Sequence, residues 1–168
     1  MGIRDGILAE FDHEMATTRR TLERVPEGKT DWKPHEKSMS LGRLAGHLAE
    51  LPALASRSLT SDSFDVMAPG RPKPLATTSQ EELLGVFDKN VAEARSAISK
   101  ASEEDMLKPW TLTAGPKTIF SMPRAAVVRS FCVSHMIHHR GQLSVYLRLN
   151  GASVPSIYGP SADENPFM

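Results

Sequence analysis

The chain has 168 residues, enough to bury a core within one domain. Its 20 Lys and Arg balance 20 Asp and Glu, and 40% of its residues are apolar, so it reads as globular and offers no basic surface to a phosphate backbone. The single cysteine, Cys132, excludes an intrachain disulfide framework and a cysteine-only zinc cluster.

The short runs Arg19-Arg20 and Arg71-Pro72-Lys73 do not amount to a nucleic-acid site, so no nucleic-acid partner is expected. Met1 to Asp5 has no basic stretch leading into an apolar one, which speaks against a signal peptide. No run approaches the ~18 apolar residues of a membrane span. A cytoplasmic protein without a membrane partner is expected.

In chain order, Ile7, Leu8, Phe11, Met15, Thr18 and Leu22 predict a first helix from about Ile3 to Val25, stopped by Pro26 and Gly28. Ser40 is a good N-cap for a second helix reaching about Leu59, with Leu44, His47, Leu51 and Leu54 on its inner stripe and a bend at Pro52. The link from Ser61 to Thr78 is rich in Pro, Gly, Ser and Thr. Ser79-Gln80-Glu81-Glu82 has the capping-box pattern and opens a third helix to Lys100, with Leu83, Phe87, Ala94 and Ile98 on its apolar face. Between Ser102 and Phe120, Trp110-Thr111-Leu112 and Thr118-Ile119-Phe120 flank Ala114-Gly115-Pro116 and predict a small hairpin. The fourth helix is expected to open at Ser121-Met122-Pro123 and to end near Leu149, with Asn150-Gly151 as its C-cap. The whole predicts an all-α fold over residues 1–168: a single-domain four-helix bundle with long crossover connections.

Chemistry concentrates on the histidines. His13 falls opposite the apolar stripe of its helix and reads as a surface residue, and His35 follows Pro34 in a loop. His135 and His139 are four apart, which on a helix places them about 40° apart around the axis with Cβ atoms roughly 6 Å apart. Two such imidazoles can reach one ion at Zn–N distances of about 2.0–2.1 Å, and His47, on the inner side of helix two, is the candidate third donor. The bland alternative is a chance spacing plus a hydrogen-bonded core histidine.

The run His135-Met136-Ile137-His138-His139-Arg140-Gly141-Gln142-Leu143 resembles the HxxxHRGQL signature of the DinB/YfiT-like superfamily. Ser40 to Leu48 is similar to that family's first histidine segment, and Val154 to Glu164 to its usual tail. The resemblance implies a four-helix bundle with a long crossover, often dimeric, and a divalent metal, zinc or nickel, held by His47, His135 and His139. It also implies that some relatives are transferases or isomerases using a low-molecular-weight thiol. Many have no known activity.

Around the ligands, Glu50 lies one turn after His47 and is a candidate to orient a ligand or act as a base, against the plainer reading of a solvated glutamate. Gln142 is expected to look into the bundle beside the ligands, His138 to support them or lie on the surface, and Arg140 to be structural. Cys132 is a candidate fourth ligand or an ordinary buried thiol. The expected function is a metal-dependent enzyme acting on a small-molecule substrate, of thiol S-transferase or hydrolase type. The alternative is a non-catalytic metal- or ligand-binding stress-response protein. Finally, Ala126, Val133 and Ile137 form a second apolar stripe on helix four, which predicts a homodimer through that face unless the connections cover it.

Overall fold

The computed structural model describes residues 2–70, 73–76 and 79–167. Met1, the Arg71 and Pro72 of the short basic run, and Thr77 and Thr78 at the end of the first long link lie outside the described residues.

Four helical rods form the body. The first is α1 (Ile3–Leu22). The second is bent into α2 (Leu41–Glu50) and α3 (Pro52–Thr60), the break falling where Pro52 lacks the N–H that would continue the ladder. Ser40 caps α2 by accepting the Arg43 amide at 3.2 Å. The third rod is α4 (Gln80–Lys100), capped by Ser79 accepting from the Glu82 amide. A short α5 (Glu103–Leu107) follows, which the helical spacing did not announce; Ser102 and Asp105 form its reciprocal capping box. Glu103 in turn accepts the Ile3 and Arg4 amides and so caps the start of α1.

The all-α expectation needs correction. The predicted hairpin is present as β2 (Pro109–Ala114) and β3 (Lys117–Pro123), turning through Gly115 at positive φ. A further strand, β1 (Ser63–Asp65), lies parallel to β2, so the bundle carries a three-stranded sheet in the order β1-β2-β3. Met122 and Pro123 still pair with Trp110 and Pro109. The fourth rod therefore starts at Arg124, three residues later than the sequence suggests.

That rod comprises α6 (Arg124–Val127), a π-helical segment (Val128–Ser134) and α7 (His135–Leu149). It ends on Gly151 at φ +72°, as the Asn150-Gly151 pattern predicts. Phe11, Leu44, Leu48, Phe87, Met136 and Leu143 are among the side chains at the centre of the core. No helix among the described residues is long and apolar enough to cross a membrane.

Part of the second stripe on helix four packs within the chain. Val133 is 1% exposed, and Ile137 packs against the core. Both α1 and α2 contact α7, and Ala152 and Val154 of the tail pack on the same core. Val133 and Ile137 are thus drawn into the chain's own core, while Ala126 is half-buried.

Candidate metal centre

His47 projects from the middle of α2, a helix whose Leu44, Ala45 and Leu48 are buried. That packing leaves the His47 ring at the edge of the core, half-buried. His135 is the first residue of α7, directly after the π-helical segment, and His139 follows one turn later. Such segments occur disproportionately at functional sites because they re-aim the residues around them.

The three rings converge through their Nε2 atoms. His135 Nε2 lies 3.4 Å from His47 Nε2 and 2.9 Å from His139 Nε2. All three donor atoms lie within 4.8 Å of one another. Two ligands on one ion at about 2.05 Å, meeting at a tetrahedral angle, stand ~3.4 Å apart, and a separation of 2.9 Å corresponds to about 90°. The donor set therefore fits a single ion.

Electrostatics points the same way. Burial, then the neighbouring His139 and His135 and the charge of Arg43, push the His47 pKa down from 6.5 to about 4. Burial and His139 also lower His135, against an opposing hydrogen bond to the Phe131 backbone. Both rings are thus neutral near pH 7, the form in which an imidazole donates a lone pair. His139 Nδ1 is 2.7 Å from Gln142 Oε1, so its proton sits on Nδ1 and its Nε2 is a bare acceptor. Where two facing Nε2 atoms are both bare, their lone pairs repel at 2.9 Å, and a shared cation relieves that repulsion.

The surrounding residues divide. Gln142 contacts His139 as a supporting residue should, yet it is exposed at the rim rather than turned into the bundle. His138 is also exposed and stands outside the donor cluster, and its Nε2 accepts from the Gln142 amide at 3.1 Å. Glu50 does not orient a ligand. One of its oxygens accepts the Leu75 amide at 2.6 Å and the other the Arg43 guanidinium at 3.1 Å. This clamp straps the link before α4 against α2 at Gly46, where a Cβ would lie 2.3 Å from the Leu75 carbonyl oxygen. A glycine inside a helical pattern was the available signal for that close approach.

Cys132 is fully buried, bonded to the Ala55 backbone, and burial raises its thiol to about 12, so it is not part of the donor cluster. Arg140 is 1% exposed and points into the core. There it meets Glu14 at 2.7 Å, Thr18 at 3.1 Å and the Tyr158 hydroxyl at 2.8 Å, a structural role as expected. Further along α7, Tyr146 stacks edge-on against Trp32 with ring centroids 5.4 Å apart.

Fold and site together define the class: a helix bundle with one edge carrying a three-histidine donor set able to hold one divalent ion. The chain belongs to the DinB family, whose sequence profile matches residues 4–166. It is 26% identical over 166 residues to the uncharacterised protein YrdA of Bacillus subtilis (strain 168), covering 95% of this chain and 90% of that one. Among solved structures it is similar to a DinB-like protein of Bacillus cereus ATCC 10987, with a TM-score of 0.71, 21% identity, and 92% of this chain and 97% of that one covered. It is also similar to YfiT of Bacillus subtilis, a probable metal-dependent hydrolase with an unusual four-helix bundle topology. There the TM-score is 0.67, the identity 14%, and the coverage 89% of both chains.

Proposed function

We propose that the protein is a metal-dependent enzyme of hydrolase type, acting on a small-molecule substrate through one zinc or nickel ion held by His47, His135 and His139. The observation that carries this reading is the convergence of three imidazole Nε2 atoms within 4.8 Å, with no fourth protein donor in the cluster among the described residues. A closed four-ligand site would favour a structural ion, whereas three ligands leave positions for water or substrate. Imidazoles suit borderline metals rather than magnesium or calcium. When bound, such an ion would lower the pKa of a coordinated water or thiol and supply a nucleophile near neutral pH. The chain's own contribution is to keep His47 and His135 neutral by burial, to orient His139 through Gln142, and to leave the rim at His138 and Gln142 open to solvent. The likeness to YfiT supports hydrolysis over S-transfer with a low-molecular-weight thiol.

The test begins with elemental analysis of protein purified without an affinity tag. About one zinc or nickel per chain is expected, falling sharply in His47→Ala, His135→Ala and His139→Ala but not in His138→Ala. Magnesium as the sole stoichiometric ion, or full metal content in the His47 variant, would refute the assignment. Ester and amide hydrolysis is then compared with conjugation of thiols to electrophiles. Metal-dependent turnover only with a thiol would replace the hydrolase reading by a transferase.

A further inference from the structure

The carboxamide of Gln142 sits between two imidazoles. Its Oε1 lies 2.7 Å from His139 Nδ1, and its Nε2 lies 3.1 Å from His138 Nε2. We infer that Gln142 is a positioning residue for the metal centre. It holds His139 in the tautomer whose Nε2 lone pair faces His47 and His135, and His138 holds the amide in the orientation that does so. The inference rests on the reading of the three histidines as ligands.

A carboxamide has one accepting end and one donating end. With the accepting end on His139, the ring proton must sit on Nδ1, and Nε2 is left bare for a metal. Reversing the amide would present an N–H to Nδ1, drive the proton to Nε2 and block ligation by that ring. His138 works against reversal in the tautomer that leaves its Nε2 bare to accept the amide N–H. The spacing makes this possible. Gln142 is three residues after His139 and four after His138, so one turn of α7 brings all three side chains together. Packing does not account for the arrangement, since Gln142 and His138 are both exposed. A ring that donates its distal N–H to a fixed acceptor is oriented and made more basic, and partners of this kind change metal affinity by about 10- to 100-fold.

The test compares wild type with Gln142→Leu, Gln142→Glu and His138→Ala as full chains. Zinc affinity is measured by titration calorimetry. The His139 tautomer is read by ring-nitrogen NMR in the metal-free protein at mildly alkaline pH. Gln142→Leu is expected to bind zinc about 10- to 100-fold more weakly and to populate both His139 tautomers. Gln142→Glu still accepts from Nδ1–H and should restore wild-type affinity and tautomer. His138→Ala should show a smaller loss of affinity than Gln142→Leu, through partial reversal of the amide. Unfolding midpoints should match wild type for every variant, because these side chains lie at the surface. Wild-type affinity and an unchanged tautomer in Gln142→Leu would overturn the inference while leaving the metal site standing. Absence of zinc or nickel binding in wild type would sink the metal reading instead, and the tautomer comparison would still decide the role of Gln142.

Discussion

Replacing Arg140 by Met should destabilise the protein by about 3–5 kcal/mol, because it strands a buried carboxylate. Arg140 is 1% exposed and Glu14 5%. The guanidinium donates to Glu14 Oε2 at 2.7 Å, to the Glu14 carbonyl at 3.1 Å, to the Thr18 hydroxyl at 3.1 Å and to the Tyr158 hydroxyl at 2.8 Å. Tyr158 passes its own proton to Glu14, closing the network over α1, α7 and the tail. Removing the cation leaves Glu14 with the Tyr158 hydroxyl alone among these donors. For a chain of this size, roughly 2–4 °C of Tm per kcal/mol translates the loss into about 6–20 °C. The double variant Glu14→Gln with Arg140→Met leaves no unpaired charge and should recover at least half of it. Chemical denaturation of the two single variants and the double variant supplies the cycle, with a coupling of at least ~2 kcal/mol expected. A coupling near zero, or a single variant within about 1 kcal/mol of wild type, would refute the reasoning.

Three further outcomes are expected. The His47 pKa is about 4 when folded and 6.5 ordinarily, so between those values the unfolded chain binds more protons. Stability of the metal-free protein is then fully present above about pH 6.5 and declines as the pH falls toward 4, by ~1–2 kcal/mol after discounting for partial exposure. Denaturation at neutral pH and near pH 5 measures it, and equal stabilities would contradict the shift. Cys132, fully buried with its thiol raised to about 12, should resist a thiol-reactive dye in the native state and react on unfolding. Gly46→Ala should cost about 1–3 kcal/mol despite the better helix propensity of alanine, because its Cβ would meet backbone at Leu75 rather than a movable side chain. Faster proteolysis of the link before α4 is the readout, and an unchanged digestion pattern would deny the strap.

The pairing of His135 with His139 was legible because a spacing of four on a helix is a geometric statement that survives any tertiary context. The bend at Pro52 and the hairpin around Gly115 were legible for the same local reason, since each follows from one residue's backbone chemistry. What escaped depends on partners distant in sequence. Glu50, one turn after His47, read as either a solvated glutamate or a helper of that ring, and the Leu75 amide that engages it lies in a loop with no periodicity of its own. β1 has three residues within that same Pro- and Gly-rich link, and only its pairing with β2 makes it a strand. The π-helical turn before His135 bonds over a longer interval than an α-turn, so side-chain directions carried across it from Ala126 and Cys132 drift. That drift, together with a tail that has no helical period, is why Val133 and Ile137 read as an uncovered face.

Three consecutive residues of α7 serve three different surroundings, because each step along a helix turns the side chain by about 100°. His138 faces solvent, His139 joins the donor cluster, and Arg140 enters the core between α1 and the tail. Arg140 therefore bears on the geometry of the histidine cluster without touching it. Its anchors on Glu14, Thr18 and Tyr158 fix the rotation of α7 about its own axis, and His135 and His139 ride on that rotation while His47 rides on α2. A turn of about 20° would swing a side-chain tip at the helix's outer radius of roughly 5–6 Å by about 2 Å, as long as a Zn–N bond. On the proposed reading, the Arg140→Met variant should thus keep one ion per chain, since no donor is lost, but hold it more weakly than wild type. Unchanged affinity in a folded Arg140→Met protein would mean that packing against α2 alone sets the rotation of the helix.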